Sequence, residues 1–179
     1  MLNQITAPRA ANHPSEDALQ LLTACHARIR HFSTAAVKLA HAQAASAEDI
    51  RMSAAGVYRY LSVSLPLHEA DEEDTVRPRL DAVADDHVRQ ALIAMHDQHQ
   101  AIDELVERLL PLLLMVERNP DLIHDAGAEM CTITKALQEI FEAHLRLEED
   151  TIFPAIQSLL PEAERQAMLA EMQKRRQQG

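Results

Sequence analysis

The sequence predicts an all-α protein: an antiparallel up-down four-helix bundle followed by a short C-terminal fifth helix. Three observations predict it. Apolar residues make up 47% of the chain, enough for a core, while aromatic residues are only 3%, and the abundant Ala, Leu, Met, Glu, Gln and Arg all favour helix. Apolar positions recur at three- and four-residue steps in four long stretches, which is the spacing of one helical face. No stretch sustains the alternation with β-branched residues that a strand needs. At 179 residues the chain suits one domain.

Each element follows from local signals. Residues 1–14 read as a loose arm ending at Pro14. Ser15 is placed to cap the first helix, with Glu16 and Asp17 in its first turn. Leu19, Leu22, His26, Ile29, Ser33 and Val37 form its stripe, which fades between Ala42 and Ala45. Ser46 and Asp49 resemble a capping box that opens the second helix. Its stripe is Ala54, Val57, Leu61, Leu65, His68, Glu72 and Val76. Pro66 predicts a kink and Pro78 an end, because proline lacks an amide donor and clashes with the preceding turn.

Residues 79–87 read as a charged, partly helical connector. Leu92, Met95, His99, Ile102, Val106, Leu109 and Leu113 form the third stripe, with a kink expected at Pro111. Asn119, Pro120 and Asp121 mark the fourth start, with proline at the first helical position. The fourth stripe is Met130, Ile133, Leu137, Ile140 or Phe141, His144, Glu148 and Thr151, and Pro154 stops or bends it. Pro161 opens a last, polar helix, EAERQAMLAEMQKRR, free to dock on the bundle or on a copy of itself. The expected organisation is an arm (1–14), a bundle (15–156) and a C-terminal helix with its tail (157–179).

Composition excludes several classes. A formal net charge of −11 argues against nucleic acid as a partner. The longest apolar run, LLPLLLMV, is about half of what a membrane span needs. The N-terminus has no apolar stretch followed by a cleavage site, so a cytoplasmic location is expected. Cys25 and Cys131 do not make a disulfide framework and are expected to be reduced. Nothing resembles a Ser-His-Asp triad, a P-loop or a dinucleotide loop.

One phrase is written twice. HEADEEDTVRPRL at 68–80 aligns with HLRLEEDTIFPAI at 144–156 after a shift of 76 positions, with six identities in thirteen. In both, a Glu follows a His at four residues, so the two side chains share a helical face. The partner helices echo each other as well, with His26 and His99 each followed three residues later by Ile. The chain reads as two hairpins, each offering one His from its first helix and a His and a Glu from its second.

Four His and two Glu turned inward would be costly to bury without compensation. A metal resolves the conflict. Imidazole with carboxylate suits iron, manganese or zinc rather than calcium or magnesium. Two carboxylates able to bridge, flanked by imidazoles, suit a metal pair about 3 to 4 Å apart. His96, three residues before His99, is a further ligand, an outer donor or a rim residue. Glu69, Glu73 and Glu149 fit an outer or solvated place, from which a carboxylate can fix an imidazole's tautomer. Tyr58 and Tyr60 read as packing or surface residues, and Cys25 turns away from His26. His31, His41, His87 and His124 read as surface residues, and His13 lies in the arm.

These residues are similar to the hemerythrin-like family, also described as HHE cation-binding domains, over roughly residues 15–156. HLRLEEDTIFP fits the family's motif, His-x-x-x-Glu-Glu followed by an apolar pair and Pro. HEADEEDTVRP fits it with Arg77 at a usually apolar place, and His26 and His99 match the isolated His of the odd-numbered helices. The resemblance implies a bundle holding two iron ions in a non-haem centre with bridging carboxylates and an oxo or hydroxo bridge. It implies the ligands His26, His68, Glu72, His99, His144 and Glu148. Oxygen-carrying members place two His four apart on the third helix, whereas here Met95 stands four before His99. Their last carboxylate is an Asp five after its His, whereas Glu148 is four after His144 and Glu149 takes the fifth place. The resemblance therefore points to the iron- and oxygen-sensing branch and to bacterial stand-alone members.

The leading expectation is a soluble iron protein that binds or reacts with O₂ or another small oxidant, in sensing, storage or iron and oxidative-stress handling. One alternative is a di-iron oxidase or peroxidase; another is a bundle that metal merely staples, in which zinc serves as well. A protein partner or a weak homo-oligomer fits a chain with no output domain of its own.

Overall fold

The helices begin where short polar side chains take up the free amides of a first turn. Asp17 accepts from the Leu19 amide at 3.1 Å, Ser46 from Asp49 at 3.1 Å and Asp85 from Val88 at 2.9 Å. The computed structural model describes residues 17–178, and among them every regular element is helical. The first helix is thus capped by Asp17 and not by Ser15, which lies outside the described residues together with the 1–14 arm and His13. Helix α1 is Ala18–Ala40.

Helix α2 runs over 47–81 as one rod of five segments: Ala47–Arg59, a π turn at Tyr60–Ser64, Leu65–Asp71, a second π turn at Glu72–Val76, and Arg77–Asp81. Helix α3 is Asp86–Arg118 and passes through Pro111. A short 3₁₀ turn at Pro120–Leu122 opens α4, which comprises Ile123–Leu147, a π turn at Glu148–Ile152, and Phe153–Leu159. Helix α5 is Glu162–Gln178.

Two expectations are corrected here. Pro78 does not end α2, which continues to Asp81, and Pro154 does not stop α4, which continues to Leu159. The reason is local. Each π turn is followed two residues later by a proline, at Pro66, Pro78 and Pro154. The wider turn bonds an amide to the carbonyl five residues back: Leu65 to Tyr60, Arg77 to Glu72, and Phe153 to Glu148. The extra residue moves the carbonyl that the proline ring would strike, so the rod continues past the missing donor.

Helix α1 packs on α2 and α4, and α3 packs on α2 and α4, so the long helices form a closed ring. Helix α5 lies across α1 and α2. The apolar interior is not continuous. One cluster holds Ile29, Leu65, Ile102 and Phe141, and a second holds Leu22, Val76, Met95 and Ile152. Between these, on the same four helices, lie His26, His68, Glu72, His99, His144 and Glu148, all buried. The polar residues therefore form one layer across the core. Among the described residues no helix is long and apolar enough to cross a membrane.

Candidate metal centre

The layer is assembled one helix at a time. Helix α1 supplies His26, α2 supplies His68 and Glu72, α3 supplies His99, and α4 supplies His144 and Glu148. Both carboxylates stand at the first residue of a π turn, a widened segment that often accompanies functional sites. None of the six is more than 4% exposed, so solvent does not compensate them.

The donors fall into two overlapping groups. His26, His68, Glu72 and Glu148 each offer an atom within 4.8 Å of the others, and so do Glu72, His99, His144 and Glu148. Both carboxylates belong to both groups, and each group adds two imidazoles. His26 Nε2 lies 2.8 Å from Glu148 Oε2, and His68 Nε2 lies 2.9 Å from Glu72 Oε1. These four atoms are buried without hydrogen-bond geometry, as is Glu148 Oε1. His99 Nε2 donates to Glu72 Oε2 at 3.0 Å. His144 Nε2 lies 3.4 Å from Glu148 Oε1 and 3.8 Å from Glu72 Oε2.

Orphaned, inward-facing nitrogen and carboxylate oxygen atoms are what a cation would satisfy, and their chemistry suits iron, manganese or zinc. The residues fit a pair of such ions. All six residues expected from the sequence meet in this layer.

The electrostatics describe the same frustration. Burial pushes Glu72 up, but the imidazoles of His68, His99 and His144 hold it well below the usual carboxylate range. Burial and the charge of Glu72 push Glu148 up to about 7, against His26 and His68. Burial pulls His99 down, yet Glu72 and Glu73 lift it to about 9. Burial drives His144 down to about 3, which leaves its imidazole neutral with a lone pair free to bind. Neighbouring carboxylates cannot both ionise comfortably here without added positive charge.

The outer nitrogens have their own partners. His26 Nδ1 donates to Glu149 Oε1 at 2.8 Å, and Arg30 grips that carboxylate with two bonds of 2.9 and 3.0 Å. His99 Nδ1 donates to Glu73 Oε1 at 2.8 Å, and Arg77 holds Glu73 Oε2 at 2.8 Å. Glu73 and Glu149 are equivalent in the repeat, and each reaches across to an imidazole of the other hairpin. His144 Nδ1 donates to Gln98 Oε1 at 3.1 Å. His68 Nδ1 has no hydrogen bond, and its polar neighbour is the buried Cys25.

His96 belongs to neither donor group. It is partly exposed and donates from Nδ1 to Glu73 Oε1 at 3.0 Å, sharing that oxygen with His99. Glu69 makes no hydrogen bond to any of the four imidazoles among the described residues, and burial raises its pKa. Glu149 lies one bond outside the layer, where Arg30 and then His26 hold it down at about 2 against burial. Sequence reasoning gave Gln98 no role. Tyr60 is buried and stacks on Phe32 with ring centroids 4.2 Å apart, in keeping with packing.

The family model described as the hemerythrin HHE cation binding domain matches residues 17–156. No curated protein matches the chain.

Proposed function

The chain belongs to the hemerythrin HHE cation-binding domain family, and on that premise we propose that it binds a pair of iron ions and binds or reacts with O₂ or a related small oxidant. The role is sensing, storage or the handling of iron and oxidative stress. The observation that carries this reading is the pair of four-donor groups that share Glu72 and Glu148. His26 and His68 would hold one ion and His99 and His144 the other, with Glu72 and Glu148 within reach of both. The long helices run up and down around the pair as an antiparallel four-helix bundle, and residues 157–179 extend it. Manganese or zinc satisfies the same donors.

Iron bound here supplies one-electron chemistry toward oxygen species. The protein's part is to fix ligand number and to keep water away with the apolar clusters on either side of the layer. It also orients three of the imidazoles, those of His26, His99 and His144, with Nε2 inward, through Glu149, Glu73 and Gln98 on the opposite nitrogens.

The test is metal content and an optical spectrum of protein prepared under reducing conditions and then exposed to air. About two irons per chain and a new absorption band in air are expected. Fewer than two bound ions, or iron that stays spectrally unchanged in air, overturns the reading. Repeated oxygen or peroxide consumption with a reductant would mark an enzyme, whereas a single stoichiometric oxidation would mark a sensor or a carrier.

A further inference from the structure

Helix α5 lies beyond the residues that the family model matches, yet it makes polar contacts beside the centre. Asp71, immediately before Glu72, is fully buried. Arg175 of α5 donates to Oδ1, and Arg176 Nη2 lies 2.6 Å from Oδ2 as an ion pair without hydrogen-bond geometry. Arg175 also donates to the hydroxyl of Thr75 at 3.2 Å. Arg79 donates to the Thr75 carbonyl at 2.9 Å and is itself held by Glu171 at 2.7 Å and Glu164 at 3.0 Å, both on α5. Two arginines of α5, and a third that α5 restrains, thus grip the residues around the Glu72–Val76 π turn.

The second copy has no counterpart of the Asp71 and Arg79 contacts; its π turn is held instead by Arg30 of α1, through Glu149. The positions equivalent to Asp71 and Arg79 are Leu147 and Ala155, and both pack into the apolar cluster. Arginine pairing with a buried carboxylate is directional, so it fixes the rotation of the turn about the helix axis. A π turn is a weak element, and its first side chain points wherever its flanks direct it.

We propose that Arg175 and Arg176, together with Arg79, are positioning residues of the metal centre: they clasp the Glu72–Val76 π turn and so aim Glu72, the carboxylate common to both cation positions. This rests on the reading of the layer as a two-cation site.

The test compares wild type with Arg175→Ala/Arg176→Ala. Because that pair leaves Asp71 buried and uncompensated, a second variant, Asp71→Asn/Arg175→Met/Arg176→Met, removes the clasp without stranding a charge. Amide hydrogen exchange is measured on protein stripped of metal, and zinc affinity by competition with a chromophoric chelator. In the variants, exchange over residues 72–76 should quicken by about tenfold while residues 148–152 stay within about twofold of wild type. Affinity for zinc should fall by about tenfold. Exchange at 72–76 and zinc affinity both unchanged in a folded variant would overturn the clasp, as would equal quickening of both π turns. Wild type binding fewer than two zinc ions would instead overturn the two-cation reading.

Discussion

The two copies of the repeated phrase do the same work at the centre and are held in place by different physics. Residues 68–80 present His68 and Glu72 and are tied from behind by charge, through Asp71 and Arg79 to α5. Residues 144–156 present His144 and Glu148, take one charged tie from α1 through Arg30 and Glu149, and are otherwise seated by apolar contact. Leu147 and Ala155 face the second cluster, and Phe153 stacks on His26 with centroids 4.9 Å apart. The His and the Glu that meet the layer are identical in the two copies, whereas Asp71 and Leu147, and Arg79 and Ala155, differ where each copy meets its own neighbours.

The largest expected effect tests the electrostatic side of this contrast. Glu148 lies above the unfolded carboxylate value of about 4.3. In protein stripped of metal it therefore contributes stability that is full below that value and is lost as pH rises through about 7. Glu72 is depressed, so its contribution has the opposite sign: present above about 4.3 and lost on acidification. Above about pH 6.5, where His144 is neutral in both states, unfolding free energy of the stripped protein should fall up to about pH 8, from Glu148 and from His99, which is lifted to about 9. Glu148→Gln should make that fall shallower, leaving the part due to His99. Glu72→Gln should also reduce it, because the charge that lifts Glu148 is gone. A wild-type profile that is flat or rising over the range would break the assignment.

Next in size are the crossed carboxylates. Glu149→Ala should weaken zinc binding by about 10- to 100-fold and disturb the ring nitrogens of His26, a residue of the other hairpin. Glu73→Ala should do the same to His99. Gln at either position keeps an acceptor and should recover most of the loss. Nitrogen-15 shifts of the imidazoles check this, and a disturbance confined to the variant's own hairpin would contradict the crossing.

The smallest effect sharpens the comparison at one equivalent pair. Phe153→Ala should cost about 1–3 kcal/mol of stability through lost packing on His26. Arg77→Ala, which breaks a partly exposed pair with Glu73, should cost less than about 1 kcal/mol. Urea unfolding of the zinc-loaded variants measures both, and equal losses would mean that the two copies are supported alike.

Much of this arrangement was legible in the sequence. The four stripes found the buried faces, since burial repeats with the helical period. The duplicated His and Glu, four apart on a helix, pointed to four of the residues that meet in the layer, and the echo of His26 and His99 pointed to the other two. What stayed hidden depends on contacts across helices or on a change of helical pitch. The prolines at 66, 78 and 154 announced a disturbance but not its form, because a wider turn and a broken helix begin with the same residue type. Glu73 and Glu149 looked alike beside Glu69, and nothing local tells which carboxylate faces an imidazole of the other hairpin. The partner of Asp71 lay about a hundred residues downstream, out of reach of periodicity.

The polar layer has a mechanical consequence. A core of uniform oil-like filling is one piece, but this one is divided by a polar seam, with an apolar lobe on either side. Ions seated in the seam would rivet all four struts at a single level and pass torque between the lobes. The stiffness of the whole would then track what the seam contains.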